Sequence, residues 1–84
     1  MHDVHAADAI LKVVLAEAKK NKLKKVNTIT IELGSIIEHG EEINPSNLKF
    51  NLKMLGEGTL AEGALIEIKK TAGHIWKLVS IDGE

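Results

Sequence analysis

The sequence predicts an α+β fold: one small domain with the order helix, strand, helix, strand, strand, in which a mixed three-stranded sheet carries two helices on one face. Three observations lead there. Two segments repeat apolar residues at helical spacing, two others alternate apolar and polar residues, and a helix-length segment separates the first strand from the second, which favours a parallel pair. At 84 residues the chain is a single domain, 1–84. A chain this short hides only about 60–65% of its unfolded surface, so a sheet covered on one face is the largest core within reach.

Residues 6 to about 22 form the first helix, with Ala7, Ile10, Leu11, Val14 and Ala18 as its apolar stripe and Asp8, Lys12 and Lys19 to one side. Asp3 or a neighbour caps its first amides, and Lys19, Lys20 and Lys22 meet the negative end of its dipole. Val13, Leu15 and Ala16 widen the apolar surface, for contact with the second helix or for a partner. In VNTITIEL, Ile29, Ile31 and Leu33 share one face while Thr28, Thr30 and Glu32 share the other, which makes a strand with one dry and one wet side. Gly34 ends it, and SIIEHGEEINPSN reads as a polar loop.

Asn44 followed by Pro45 reads as an N-cap with proline at the first helical position. The second helix then carries Leu48, Leu52 and Leu55, flanked by Phe50 and Met54, until Gly56 and Gly58 stop it. LIEIKK alternates again, with Ile66 and Ile68 on one side. TAGH, residues 71–74, supplies a tight turn in which Gly73 takes a positive φ, and IWKLVSID is the last strand. The final two strands read as an antiparallel hairpin.

Composition narrows the function. Net charge is −1, all eleven basic residues are lysine, and Phe50 and Trp76 are the only aromatics, so the arginine forks and stacking platforms of a nucleic-acid binder are missing. There is no cysteine, no secretory signal pattern and no membrane-length apolar run, from which a soluble, cytoplasmic protein without membrane association is expected. GEGTLAEGA lacks the Lys-Ser/Thr of a phosphate loop and follows a helix rather than a strand. No serine sits in a histidine–acid arrangement, so an enzyme is not expected. KKNKLKK, with five lysines in seven positions, is either a solvated helix end or a patch for an acidic surface or phosphate. Near-neutral charge and spare apolar surface leave a homodimer open.

The start of the chain, MHDVH, reads in two ways: Asp3 caps the helix with His2 and His5 as surface residues, or the terminus itself is a metal site. The α-amine of Met1, the amide nitrogen of His2 and the His2 imidazole can close adjacent chelate rings and present three nitrogen donors in one plane. A deprotonated amide in a planar field suits Ni(II) or Cu(II) far better than Zn(II) or Mg(II). A fourth donor can come from Asp3, through backbone or carboxylate, or from a side chain across the fold, while Asp3 alternatively serves as the helix cap. His5 and Asp8 follow at helical spacing. His39, with Glu38, Glu41 or Glu42, is either a distal donor or part of a polar loop, and His74 is read as a turn residue.

MHD at the start, ADAIL in the first helix, ITIELGSI in the first strand and above all GTLAEGALIEI resemble the HypA/HybF family of nickel incorporation proteins. The resemblance runs from Met1 to Ile81 and implies a nickel metallochaperone for [NiFe]-hydrogenase maturation, or for urease in some bacteria. It implies as partners a hydrogenase maturation GTPase and the hydrogenase large subunit. It assigns the Ni(II) role to His2, with the Met1 amine and the backbone of residues 2 and 3, and an assisting acid ahead of the second helix, for which Glu42 is nearest and Asn44 the alternative in alignment. Asp3 stands where the family has glutamate. The family also inserts a zinc domain with two Cys-x-x-Cys pairs after the strand matching LIEIKK; here TAGH takes its place, so no structural zinc is expected. The other class of function is a protein-interaction or dimerisation domain derived from this fold and no longer carrying metal.

Overall fold

The computed structural model describes residues 3–38 and 40–84, with side chains throughout except at Asp3, Val4 and Glu38. Its elements are α1 (Asp3–Lys20), β1 (Val26–Leu33), β2 (Ile37–Glu38), β3 (Glu41–Glu42), α2 (Pro45–Leu55), β4 (Leu65–Lys70) and β5 (Trp76–Gly83). The helix–strand–helix–strand–strand order is as expected, with a small extra ribbon between β1 and α2.

α1 opens at Asp3, ahead of the expected start, because Ala6 and Ala7 of its first turns are buried against the core. It stops where Lys22 turns into the left-handed region (φ 58). The Leu23 amide then donates to Ala18 O and the Lys22 amide to Lys19 O, the paired bonds that close a helix C-terminus. α2 begins as predicted: Asn44 is extended, and its Oδ1 accepts from the amides of Ser46 (2.7 Å) and Asn47 (3.3 Å) ahead of a chain preset by Pro45.

The main sheet has the order β4-β1-β5, with β1 parallel to β4 and antiparallel to β5. The expected hairpin between the last two strands does not form. They flank β1 instead, Ile29 lying opposite Ile66 on one side and Ile81 on the other. The reason is the apolar content of β1: Val26, Ile29, Ile31 and Leu33 are at most 1% exposed. A strand this buried needs both rows of backbone groups paired, and the centre of the sheet provides that. Residues 71–75 therefore cross the end of β1, where Thr71 donates its amide to Leu33 O, Gly34 donates to Ile75 O, and Ser35 donates to Gly73 O.

The polar loop expected before α2 is in part ordered as well. β2 and β3 pair with Ile37 opposite Glu42 and Glu38 opposite Glu41, Gly40 turning at φ 83. Behind this ribbon the Ile43 amide donates to Ile36 O, and the Ile43 side chain enters the core.

The core lies on one face of the sheet, between β1 with Ile66 of β4 and the inner faces of α1 and α2. α1 is joined to β1 by residues 21–25 alone, and α2 leads through residues 56–64 to Leu65 opposite Thr28 near the start of β1. Both helices consequently run back against β1, so their N-terminal ends lie where β1 finishes. Among the described residues no helix is long and apolar enough to cross a membrane.

Candidate metal site

The end of the molecule at which β1 finishes collects the start of α1, the β2–β3 ribbon, the end of β4 and the 71–75 crossing. Here Glu42 is the best-defined acid. Its Oε1 accepts from Ser35 Oγ at 3.1 Å and its Oε2 lies 3.0 Å from Lys70 Nζ, which also reaches Gly34 O at 3.5 Å. The hydrogen bond from Lys70 first, then that from Ser35 and the charge of Lys70, hold the Glu42 carboxyl below the usual carboxylate range. Close by, His74 Nδ1 lies 3.4 Å from Ser35 O, so the tautomer protonated there donates across the crossing. Glu42 is thus already ionised and oriented, yet engaged with an ammonium that a metal ion would have to displace.

The other sequence-predicted donors divide into three groups. Met1, His2 and His39 lie outside the described residues. Asp3 is the first residue of α1, and its backbone is at this end of the fold. Asp8 is committed to Lys12 on the next turn at 2.9 Å, and the Asn44 carboxamide is occupied as the α2 cap. His5 is exposed on the first turns of α1. Among the described residues no three His, Cys, Asp or Glu side chains converge as a metal site. Sequence reasoning did not find Ser35 and Lys70 as partners of Glu42. They are 7 and 28 residues away, and only the parallel pairing of β4 with β1 brings Lys70 level with Leu33.

With this geometry in place, similarity to known proteins agrees with the resemblance seen in the sequence. Residues 1–77 match the family described as hydrogenase/urease nickel incorporation, metallochaperone, hypA. The hydrogenase maturation factor HypA of Pyrococcus furiosus is 35% identical over 89 residues, covering 96% of this chain and 61% of the relative. That of Methanothermobacter thermautotrophicus is 36% identical over 69 residues, covering 82% and 53%. The chain therefore spans between about half and three-fifths of the length of these relatives. The solution structure of the Ni metallochaperone HypA from Helicobacter pylori superimposes over 100% of both chains with a TM-score of 0.79 at 15% identity, which is the same fold. By its match over nearly its whole length, the chain belongs to the HypA family of nickel incorporation metallochaperones.

Proposed function

We propose that this chain is a nickel-carrying module that binds Ni(II) through its Met-His start and delivers it, in the cytoplasm, during [NiFe]-hydrogenase maturation. The observation that carries this reading is the family match from residue 1, which includes His2 directly ahead of a helix beginning at Asp3. The Met1 amine, the His2 amide and the His2 imidazole are the proposed in-plane donors, with Asp3 as the fourth. A nitrogen-rich planar field stabilises low-spin Ni(II), and the need to deprotonate an amide makes binding pH-dependent. Copper would compete strongly for such donors, so metal choice in the cell follows supply rather than affinity.

Glu42 is the proposed assisting carboxylate, drawn from Lys70 when the cation arrives. Its support is position: Glu42 and the start of α1 occupy the same end of the fold. The role is that of a carrier rather than an enzyme, and a maturation GTPase and the hydrogenase large subunit are its proposed partners. We further read the chain as one nickel-binding domain in which residues 71–75 join β4 to β5 directly, in place of a zinc domain and without structural zinc.

Calorimetric titration with Ni(II), followed in parallel by visible absorption, tests the proposal on protein starting at Met1. One site with a low-spin absorption band is expected, lost in His2→Ala and lost when residues are added ahead of Met1. Tight binding that survives either change would overturn the terminal site.

A further inference from the structure

The opposite end of α1 carries a second feature, unconnected with the donors above. Between the last turns of α1 and the GTLAEG loop runs an open groove of about 740 Å³, with Leu15, Leu23 and Leu60 as its apolar lining and Lys19 and Lys22 on its rim. Its loop wall is held firmly. Leu60 O accepts from the Val26 amide at 2.8 Å, Thr59 Oγ1 donates to Gly56 O and accepts from the Ala61 amide, and Glu62 Oε1 accepts from the Gly58 amide. These bonds fix the backbone while leaving the Leu60 side chain 38% exposed toward the groove. A wall ordered beforehand lowers the entropy cost of docking.

Charge identifies what fits. Lys19, Lys20, Lys22, Lys24 and Lys25 crowd this end, and among the described residues none of them makes an ion pair. Glu84 is paired through its backbone with Lys24 and Lys25, and Glu62 is tied to the Gly58 amide from the neighbouring hollow that Glu57 also lines, so the charged side chains that line the groove itself are Lys19 and Lys22. Lys19, Lys20 and Lys22 all stand near the negative end of the α1 dipole, but Lys22 does so from past the helix end, in a left-handed conformation that glycine adopts without strain. A lysine at that position sets an ammonium on the groove rim at the expense of backbone comfort.

We propose that this groove docks an acidic, leucine-bearing segment of a partner protein, its apolar side chain resting on Leu15, Leu23 and Leu60 and its carboxylates meeting Lys19 and Lys22. Phosphate alone would leave the leucine lining unused. A flat anionic bilayer would not reach leucines recessed between helix and loop, since Leu15 and Leu23 are half-buried. Leu15 and Lys19 stand 12 and 16 residues along α1 from Asp3, so the groove lies about 18–24 Å from the helix start, and a partner seated there leaves the proposed metal end uncovered.

The test uses the 84-residue chain, labelled with nitrogen-15, and an acetylated, amidated peptide of two leucines set among glutamates. Saturable amide shifts at Leu15, Leu23, Thr59 and Leu60 are expected, weakening as salt is raised. Lys19→Glu with Lys22→Glu is expected to weaken binding about tenfold or more, and Leu60→Ser by a comparable factor. Lys22→Gly separates binding from folding, because it should bind more weakly while melting no lower than the parent. The proposal is overturned if the groove amides do not shift. It is equally overturned if a lysine-for-glutamate peptide binds as well, or if inorganic phosphate or phosphatidylglycerol vesicles give the same shifts regardless of Leu60.

Discussion

Lys70 Nζ and Glu42 Oε2, 28 residues apart in the chain, meet at 3.0 Å and fasten the β2–β3 ribbon to the end of β4. Both side chains are about half exposed, so the pair orients the ribbon more than it stabilises the fold. Because Lys70 and Ser35 hold the Glu42 carboxyl below its unfolded value, the pair's contribution is complete above the usual carboxylate range. It is lost as pH falls through the lowered folded-state value. In Lys70→Met the Glu42 carboxyl should titrate closer to an ordinary glutamate, as carbon-13 NMR would read directly, and acid should loosen the ribbon less selectively. The same variant frees Glu42 for a cation, so Ni(II) should bind more tightly by calorimetry if Glu42 assists the metal. Unchanged affinity would remove Glu42 from the ligand set.

The crossing of residues 71–75 over β1 depends on Gly34. A Cβ at this position would stand 2.7 Å from the Gly73 carbonyl group and 2.9 Å from Ile75 O, all backbone atoms that cannot swing aside. Gly34→Ala must therefore push the crossing away and lengthen the Gly34–Ile75 and Ser35–Gly73 hydrogen bonds. Overpacking of this kind costs about 1–3 kcal/mol, and in a domain of this size each kcal/mol lowers Tm by roughly 4–8 °C. Thermal unfolding followed by circular dichroism would show it, and a melting temperature equal to the parent's would contradict the close approach.

These two relationships mark where sequence reading reached its limit. The alternation of Ile29, Ile31 and Leu33 announced β1 and its dry face, and Asn44–Pro45 announced the start of α2, because each signal lies within a few residues. The partner of β5 could not be read the same way. A short turn between two strands suggests a hairpin, and only the competition of all strands for the most apolar one sends β4 and β5 to opposite sides of β1. The β2–β3 ribbon was hidden for a similar reason, since Ile36 and Ile43 look like stray apolar residues in a polar stretch until the core is there to receive Ile43. At the candidate site, the Met1–His2 donors are read from adjacent residues and the resemblance adds the assisting role of Glu42, whereas the engagement of Glu42 by Lys70 is a long-range contact with no local signal.

The Asn44 cap offers a local test of α2. Its Oδ1 satisfies two of the helix's otherwise unpaired amides, those of Ser46 and Asn47. Asn44→Ala should cost about 0.5–2 kcal/mol, and Asn44→Asp should largely preserve stability, because its carboxylate accepts the same bonds and favours the positive end of the dipole. Urea unfolding of the three proteins would rank them, and an alanine variant as stable as the parent would show that the cap carries no weight.

Asn51 makes the opposite prediction, that a substitution in the core improves the protein. It sits on α2 among Leu48 and Leu52, is 4% exposed, and its Oδ1 has no hydrogen-bond partner among the described residues. A buried acceptor in that position forfeits about 1–3 kcal/mol of lost solvation. Leucine has the same branched outline with no polar atom, so Asn51→Leu should raise stability by about 1–2 kcal/mol, allowing for some strain in refitting two methyl groups. Asn51→Ala should gain less, because truncation leaves a cavity in place of the unsatisfied oxygen. Asn51→Asp should destabilise the fold, and increasingly so as pH rises: burial would push the new carboxyl's folded-state value up, so its neutral form is tolerated only in acid. Melting curves of the three variants across pH would distinguish an unsatisfied acceptor from a hydrogen-bonded one, for in the latter case leucine, alanine and aspartate would all lower Tm.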